Sequence, residues 1–278
     1  MKIAAVVVTY NRKEKLIKNL SCLKNQTRSL DKIYVIDNAS TDGTKEIFNS
    51  TSDELIEYIR LDKNLGGSGG FAIGIEKAYN EGFDYIWGMD DDAFPDIKAL
   101  EELEKASQEF DELTSFWSNC DNDDDFENEY KKVDSWMFVG FFIPKKVIEK
   151  VGFPRSDFFI YHDDSEYAYR IIKKGYKIIK VKKSLINHKD YNKRENIQKN
   201  FFRKTIQFPK IPDWRMYYLV RNHILMYNWN DLNKYKTIFY YLPKIFLKLI
   251  ILSIPQKKVF LKAMYHGIIN KTGKVMQP

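Results

Sequence analysis

Four times in roughly its first hundred residues the chain sets a strand-like run before a helix-like one. "KIAAVVVTY" is β-branched and continuously apolar, as a strand buried on both faces of a parallel sheet must be. "NRKEKLIKNLSCLKNQ" then spaces Leu16, Ile17, Leu20 and Leu23 helically on a lysine-rich background, which predicts an amphipathic helix covering the sheet. The rhythm recurs: "KIYVID" before the capped helix start "STDGTKEIF", "LIEYIRL" before "GGFAIGIEKAYNEG", and "DYIWGM" before "DDDAFPDIKALEELEKA". Such repetition confines the chain to the α/β class with a doubly wound sheet. Ligands of these sheets bind beyond the carboxyl ends of the strands. The segments that matter are therefore Thr9 to Arg12, Asp37 to Ser40, Asp62 to Gly70 and Asp90 to Asp92.

After Ala106 the alternation fades. "DNDDDFENEY", Asp121 to Tyr130, resembles a calcium loop only until Phe126, which stands where an EF-hand needs glycine, so it reads as a solvated acidic loop. "SWMFVGFFI" reads as a strand, "PKKVIEKVG" as a short helix, "FFIYHDDSEYAYRIIKKGY" as an aromatic lead into a helix, and "KIIKVKKSLINHKD" as a strand ending at His188. The composition changes near Tyr191 to Asn200. From Tyr191 to Pro278 there are 17 Lys/Arg against 3 Asp/Glu, while the preceding body carries 28 against 35. Domains 1–195 and 196–278 follow from that shift. The tail holds the helix "DWRMYYLVRNHILMY" and a pair of helices broken by Pro243 and Pro255. Its longest apolar stretch, Leu249 to Ile254, is far short of the roughly 20 residues that span a bilayer. A basic, aromatic tail suits an anionic membrane surface or a partner, a second copy included; ordinary core helices are the plainer alternative.

Two cysteines, Cys22 and Cys120, have neither the number for a disulfide framework nor metal-ligand spacing, and the early apolar run Ile3 to Val8 is too short for the core of a secretory leader. A cytoplasmic protein is expected, peripheral at the inner face of the cell membrane.

Three constellations carry chemistry. "WGMDDDAF" places three aspartates in a row after an apolar strand, a repulsive arrangement unless a cation compensates it. Helix capping accounts for one of them well and for three poorly. "YHDDSEYAYR" puts Asp163 and Asp164 at a helix mouth, where a carboxylate can serve as a general base or simply as an N-cap, with Glu166 and Arg170 as a surface pair. His188 follows another strand; alone it is more often a packed or surface residue, but with Asp90 and Asp92 it completes an O,O,N set suited to Mn²⁺ or Mg²⁺. The segment "DKNLGGSGGF" adds four glycines in five residues, more than a sharp turn requires, and fits close approach of a negatively charged ligand to the start of a helix.

"VVVTYNR", "VIDNASTDGT", "NLGGSGGF", "MDDDAF" and "HDDSEYAYR" together resemble glycosyltransferase family 2, the inverting enzymes of the GT-A fold, over roughly Met1 to Asp190. Within it the chain looks most like the galactofuranosyltransferases and rhamnosyltransferases of bacterial surface polysaccharides. The resemblance implies a Rossmann-like, mostly parallel sheet flanked by helices, with a basic helical C-terminal extension. It implies that Thr9, Asn11, Arg12, Asp37 and Asn38 hold the nucleotide and that Asn64, Gly66, Gly67, Gly69 and Gly70 line the donor's ribose and diphosphate. Asp91 would lie near the ribose, Asp90, Asp92 and His188 would hold the metal, Asp164 would be the catalytic base and Asp163 its substrate-positioning neighbour. The family's usual tryptophan before this pair is His162 here, a departure that bears on acceptor recognition. The implied reaction moves a sugar from a UDP- or dTDP-sugar donor to a lipid-linked glycan acceptor. A sugar nucleotidyltransferase and a nucleic-acid-binding module are the rivals; the first lacks a convincing triphosphate loop, and the acidic body argues against the second, so no nucleic-acid partner is expected.

Overall fold

The computed structural model describes residues 1–49, 53–120, 126–188, 195–201, 204–229 and 237–277, so the acidic run Asp121 to Asp125 lies outside them. The chain divides into two compact units, Met1–Ser156 with Asp164–Asp190, and Asp157–Asp163 with Tyr191–Pro278.

The first unit is built on a nine-stranded sheet. Its first half is the expected one: β1 (Ile3–Thr9), β2 (Lys32–Asp37), β3 (Ile56–Arg60) and β4 (Tyr85–Asp90) pair in parallel in the order β3-β2-β1-β4, with α1 (Lys13–Lys24), α2 (Thr44–Asn49) and α3 (Gly66–Asn80) between them. Alternate residues of β1 serve opposite faces. Ala5 and Val7 join Leu16, Leu20 and Leu23 of α1, whereas Ala4, Val6 and Val8 join Phe71, Ile75 and Ala78 of α3. Ile17, read as part of the apolar stripe of α1, is exposed.

α3 starts at Gly66, three residues earlier than the pattern suggests, so the glycines form its first turn. Gly70, and Gly74 a turn further on, have a packing reason. A Cβ at Gly70 would lie 2.6 Å from Val8 Cγ1, and one at Gly74 2.4 Å from Val6 Cγ1. Helix and strand approach closely enough that side chains there are excluded. Gly66 has a φ of 75°, a conformation that favours glycine, and Gly67 has open space at its Cβ position.

The second half departs from simple alternation. β5 (Phe94–Pro95), α4 (Ala99–Glu109), β6 (Thr114–Cys120), β7 (Tyr130–Val133), β8 (Phe141–Pro144), α5 (Lys145–Val151), α6 (Asp163–Lys173) and β9 (Lys177–Asn187) follow. β8 lies antiparallel between β4 and β6, while β9 is parallel to β6. "SWMFVGFFI" is therefore a strand only at its end; Ser135 to Gly140 has no regular structure. β6 escapes a reading by apolar pattern because its interior is polar: Thr114, Ser115, Ser118 and Asn119 are fully buried, and Ser118 Oγ lies 2.8 Å from Ser184 Oγ. α6 turns at Gly175 (φ 86°) into β9, so its N-terminus sits at the carboxyl edge, where β1 and β4 also end.

The second unit has a hairpin of β10 (Asn196–Phe201) and β11 (Lys204–Pro209), then α7 (Asp213–Trp229), a π-helical turn (Thr237–Tyr241), α8 (Leu242–Ile251) and α9 (Lys257–Ile268). Met216, Tyr217, Val220, Ile224, Leu249 and Phe260 make its core. Among the described residues no helix is long and apolar enough to cross a membrane.

Candidate functional site

Strands β1, β2 and β4 deliver their last residues side by side. Thr9 is level with Asp37, and Val8 with Asp90, so threonine and two aspartates end within one residue of each other at the carboxyl edge. The next two aspartates are buried, and each has a cation beside it. Asp91 accepts hydrogen bonds from Thr9 Oγ1 at 2.7 Å and from Arg12 Nη1 at 3.0 Å. Asp92 accepts from the same Arg12 nitrogen at 2.7 Å, with Lys15 Nζ at 3.5 Å, and its other oxygen lies 3.1 Å from His188 Nε2.

The separation of 96 positions between Asp92 and His188 is closed by one short pairing. β5 and β9 run antiparallel with Phe94 opposite Asn187 and Pro95 opposite Ile186, which puts the residues before β5 beside those after β9. One ligand atom from each of Asp90, Asp92 and His188 then lies within 4.8 Å of the others.

The electrostatics explain what such a cluster wants. Burial, followed by the charges of Asp92 and Asp91, pushes the Asp90 carboxyl up to about 8, against the pull of Arg12 and His188. Asp91 is also raised by burial, which outweighs Arg12 and Thr9. For Asp92 burial acts the same way, but the His188 bond and the charges of Arg12, His188 and Lys15 outweigh it and hold the carboxyl at about 2. Among the described residues Asp90 is thus the aspartate of the three whose carboxyl the nearby cations compensate least against its neighbours, and two oxygens with an imidazole fit a divalent ion of the Mn²⁺ or Mg²⁺ kind.

The other residues singled out in the sequence divide by what their side chains do. Asp37 is fully buried, accepting from Ser40 N at 2.8 Å and from the Tyr58 hydroxyl, with Arg60 Nε at 3.9 Å. Asn11 Oδ1 accepts from Thr41 N at 2.7 Å. Asn38 Oδ1 accepts from Leu65 N at 3.0 Å while its Nδ2 donates to Gly66 O, and Asn64 Oδ1 caps Gly66 N. These three asparagines tie the strand ends and the start of α3 together. Tyr58, on the edge strand β3, was not legible as a site residue; Lys15, beside Asp92, belongs with Arg12 and Lys13 to the basic residues after the first strand.

Asp163 and Asp164 open α6. Burial raises the Asp164 carboxyl above its ordinary value, opposed by hydrogen bonds from Ser165, whose N lies at 2.6 Å and Oγ at 3.1 Å. Glu166 and Arg170 are not a surface pair. Glu166 is buried, and Arg170, 2.8 Å from it, also donates to the carbonyls of Val151 and Phe153. His162 packs on His223 with ring centroids 5.1 Å apart, and burial together with that neighbour lowers it to about 3, so it is neutral at any working pH.

A mixed sheet carrying this Asp-x-Asp and histidine cluster where its parallel strands end, flanked by helices and followed by a helical C-terminal extension, is an α/β fold of GT-A-like architecture. Residues 4–213 match Glycosyl transferase family 2, and the chain belongs to that family. Galactofuranosyltransferase GlfT1 of Mycobacterium tuberculosis is 27% identical over 197 residues, covering 62% of this chain and 64% of that protein. Abequosyltransferase RfbV of Salmonella typhimurium is 37% identical over 105 residues, 36% of this chain and 31% of the relative. The chain thus spans less than two thirds of the length of these relatives. A crystal structure of GalNAc-T7 with UDP, GalNAc and Mn²⁺ superposes with a TM-score of 0.66 at 13% identity, over 98% of this chain and 58% of that one, a likeness of fold.

Proposed function

We propose that the protein transfers a glycosyl group, with inversion, from a nucleoside-diphosphate sugar to a hydroxyl of a growing, lipid-linked bacterial surface glycan. UDP-galactofuranose is the favoured donor. The observation that carries the reading is the convergence of Asp90, Asp92 and His188 at the edge where the parallel strands of a family 2 chain end. These residues would hold a Mn²⁺ or Mg²⁺ ion, which supplies charge neutralisation for a departing diphosphate. Arg12 and Lys15, already beside Asp92, add positive charge at the same edge.

Asp164 is the base in this reading. Its carboxylate takes the acceptor hydroxyl proton as that oxygen attacks the anomeric carbon. The raised carboxyl makes it a better proton acceptor than an exposed aspartate, and the Ser165 bonds, both to one oxygen, orient it. Asp163 lies beside it to orient substrate.

Exposed Leu261, Tyr265, Ile268 and Ile269 of the α9 region, interleaved with Lys258 and Lys262, support docking of the C-terminal unit on an anionic membrane surface, where a lipid-linked acceptor resides. The relative that transfers abequose supports a second reading, a deoxysugar donor such as dTDP-rhamnose. Calorimetric titration with UDP, dTDP and GDP, each with Mn²⁺ and with EDTA, tests both. Metal-dependent preference for UDP is expected, dTDP preference would favour the second reading, and no binding of any nucleotide would refute the assignment.

A further inference from the structure

The seven residues before Asp164, Asp157 to Asp163, belong to the compact unit formed otherwise by the C-terminal part of the chain. Their backbone is held in an unusual path. Phe159, Tyr161 and His162 have φ of 71°, 68° and 65°, the left-handed region that residues with a Cβ rarely adopt. Three such residues within four positions do not persist unless their surroundings dictate them.

Two fully buried neighbours on α7 do so. Asn222 Nδ2, whose two N–H groups must share among three acceptors, lies within hydrogen-bond distance of the carbonyl oxygens of Phe158 at 2.9 Å, Ile160 at 2.7 Å and Tyr161 at 2.9 Å. Arg221 Nε donates to Asn222 Oδ1 at 2.8 Å, which fixes the amide with its nitrogen toward the loop. Arg221 Nη2 donates to Phe158 O at 2.9 Å, and its Nη1 to Gly273 O at 2.6 Å, while Gly273 N returns a bond to Asp157 O at 2.8 Å. The guanidinium stacks on Tyr218, 4.8 Å from the ring centroid. A buried arginine whose hydrogen bonds go to carbonyls and an amide rather than to a carboxylate is costly, and a buried asparagine inside a helix is no better. Core packing alone calls for neither. What they accomplish is to fasten every carbonyl from Phe158 to Tyr161 except that of Phe159, ending two residues before Asp163.

We propose that Asn222 and Arg221 are positioning residues for the Asp163–Asp164 pair, acting through the chain itself: they lock the loop from which α6 begins and so set where the base is delivered. The proposal rests on the reading of Asp164 as base. Misplacing a reacting group by about 1 Å can cost on the order of 100-fold in rate, so the clamp is expected to govern turnover rather than donor binding.

The test compares the full-length protein with Asn222→Asp, which keeps the size but removes the donor, Arg221→Lys, which keeps the buried charge, and Asp164→Asn. Two readouts are taken with Mn²⁺: UDP binding stoichiometry and affinity, and UDP release from UDP-galactofuranose onto an alkyl galactoside. Amide exchange of Phe159 to Asp164 is followed in parallel, since it needs no substrate. Expected for both clamp variants are faster exchange confined to that loop, unchanged UDP stoichiometry and KM, and kcat lower by about 10-fold or more. Either variant folding suffices. Unchanged exchange and turnover in a folded variant, with Asp164→Asn inactive, would overturn the clamp while leaving the base reading intact. Loss of UDP stoichiometry in proportion to kcat would mark a merely structural role and also overturn it. An active Asp164→Asn enzyme would remove the base reading itself, and this proposal with it.

Discussion

Replacing Asp90 by Asn should make the metal-free protein more stable, and increasingly so as pH rises. The Asp90 carboxyl is raised from 3.8 to about 8 because it is buried beside Asp92 and Asp91. The folded protein therefore keeps a proton that the unfolded chain releases, and stability present in acid is lost as pH climbs from the unfolded value through the folded one. Each unit of difference is worth about 1.4 kcal/mol, so the full effect at neutral pH has a ceiling of about 4 kcal/mol. Asp90 retains some solvent contact, and about 2 kcal/mol is the more realistic expectation. Coulomb's law gives the same scale: charges within 4.8 Å repel by at least about 3 kcal/mol at an effective dielectric of about 20, before Arg12 offsets part of it. Asn titrates in neither state, so the variant lacks this slope. Asp92, held at about 2, loses its contribution only in stronger acid and does not interfere. Urea unfolding in EDTA at about pH 5 and about pH 8 measures the difference directly. Wild type should fall relative to Asp90→Asn across that interval, and added Mn²⁺ should restore wild type alone, most at the higher pH. Parallel curves in EDTA would refute the claim that Asp90 is the least compensated charge of the site.

Asp164→Asn should lower kcat by about 100-fold or more while metal-dependent nucleotide binding, read by calorimetry, stays intact. Because burial raises Asp164, activity should rise with pH through a limb above the ordinary aspartate value of 3.8; Ser165→Ala, which removes one of the bonds opposing that shift, should move the limb higher still in a pH profile of kcat/KM. Gly70→Ala should cost about 1–3 kcal/mol in thermal unfolding because its Cβ would press on Val8, whereas Gly67→Ala, with open space, should be neutral or slightly stabilising and should weaken nucleotide binding where backbone abuts the donor. Lys258→Glu with Lys262→Glu should reduce flotation with phosphatidylserine vesicles by about 1 kcal/mol per charge removed, and equal flotation would refute membrane docking by α9.

Much of the first unit was readable from the chain because the signal is local. Four apolar runs of strand length, each followed by a helical period, dictate β1 to β4 and the edge at which Thr9, Asp37 and Asp90 end. Three adjacent aspartates announce an unpaid repulsion wherever they fold. Periodicity failed at β6, whose buried serines and asparagine look like surface until their partners across the sheet are known, and at "SWMFVGFFI", where an apolar run packs without strand geometry over most of its length. The glycines of α3 were legible as a demand for closeness, but not as closeness to Val6 and Val8, because which strand a helix lies on is a property of the crossover. Chain order alone places His188 96 residues from Asp92; a two-residue pairing of β5 with β9 brings them to 3.1 Å. The clamp of Asn222 and Arg221 carries no motif at all. Sequence encodes local conformation and charge density, since both act over a few neighbouring residues. Which distant side chains share a hydrogen bond, a cation or a strained loop was decided only when the sheet order and the packing of α7 brought them together.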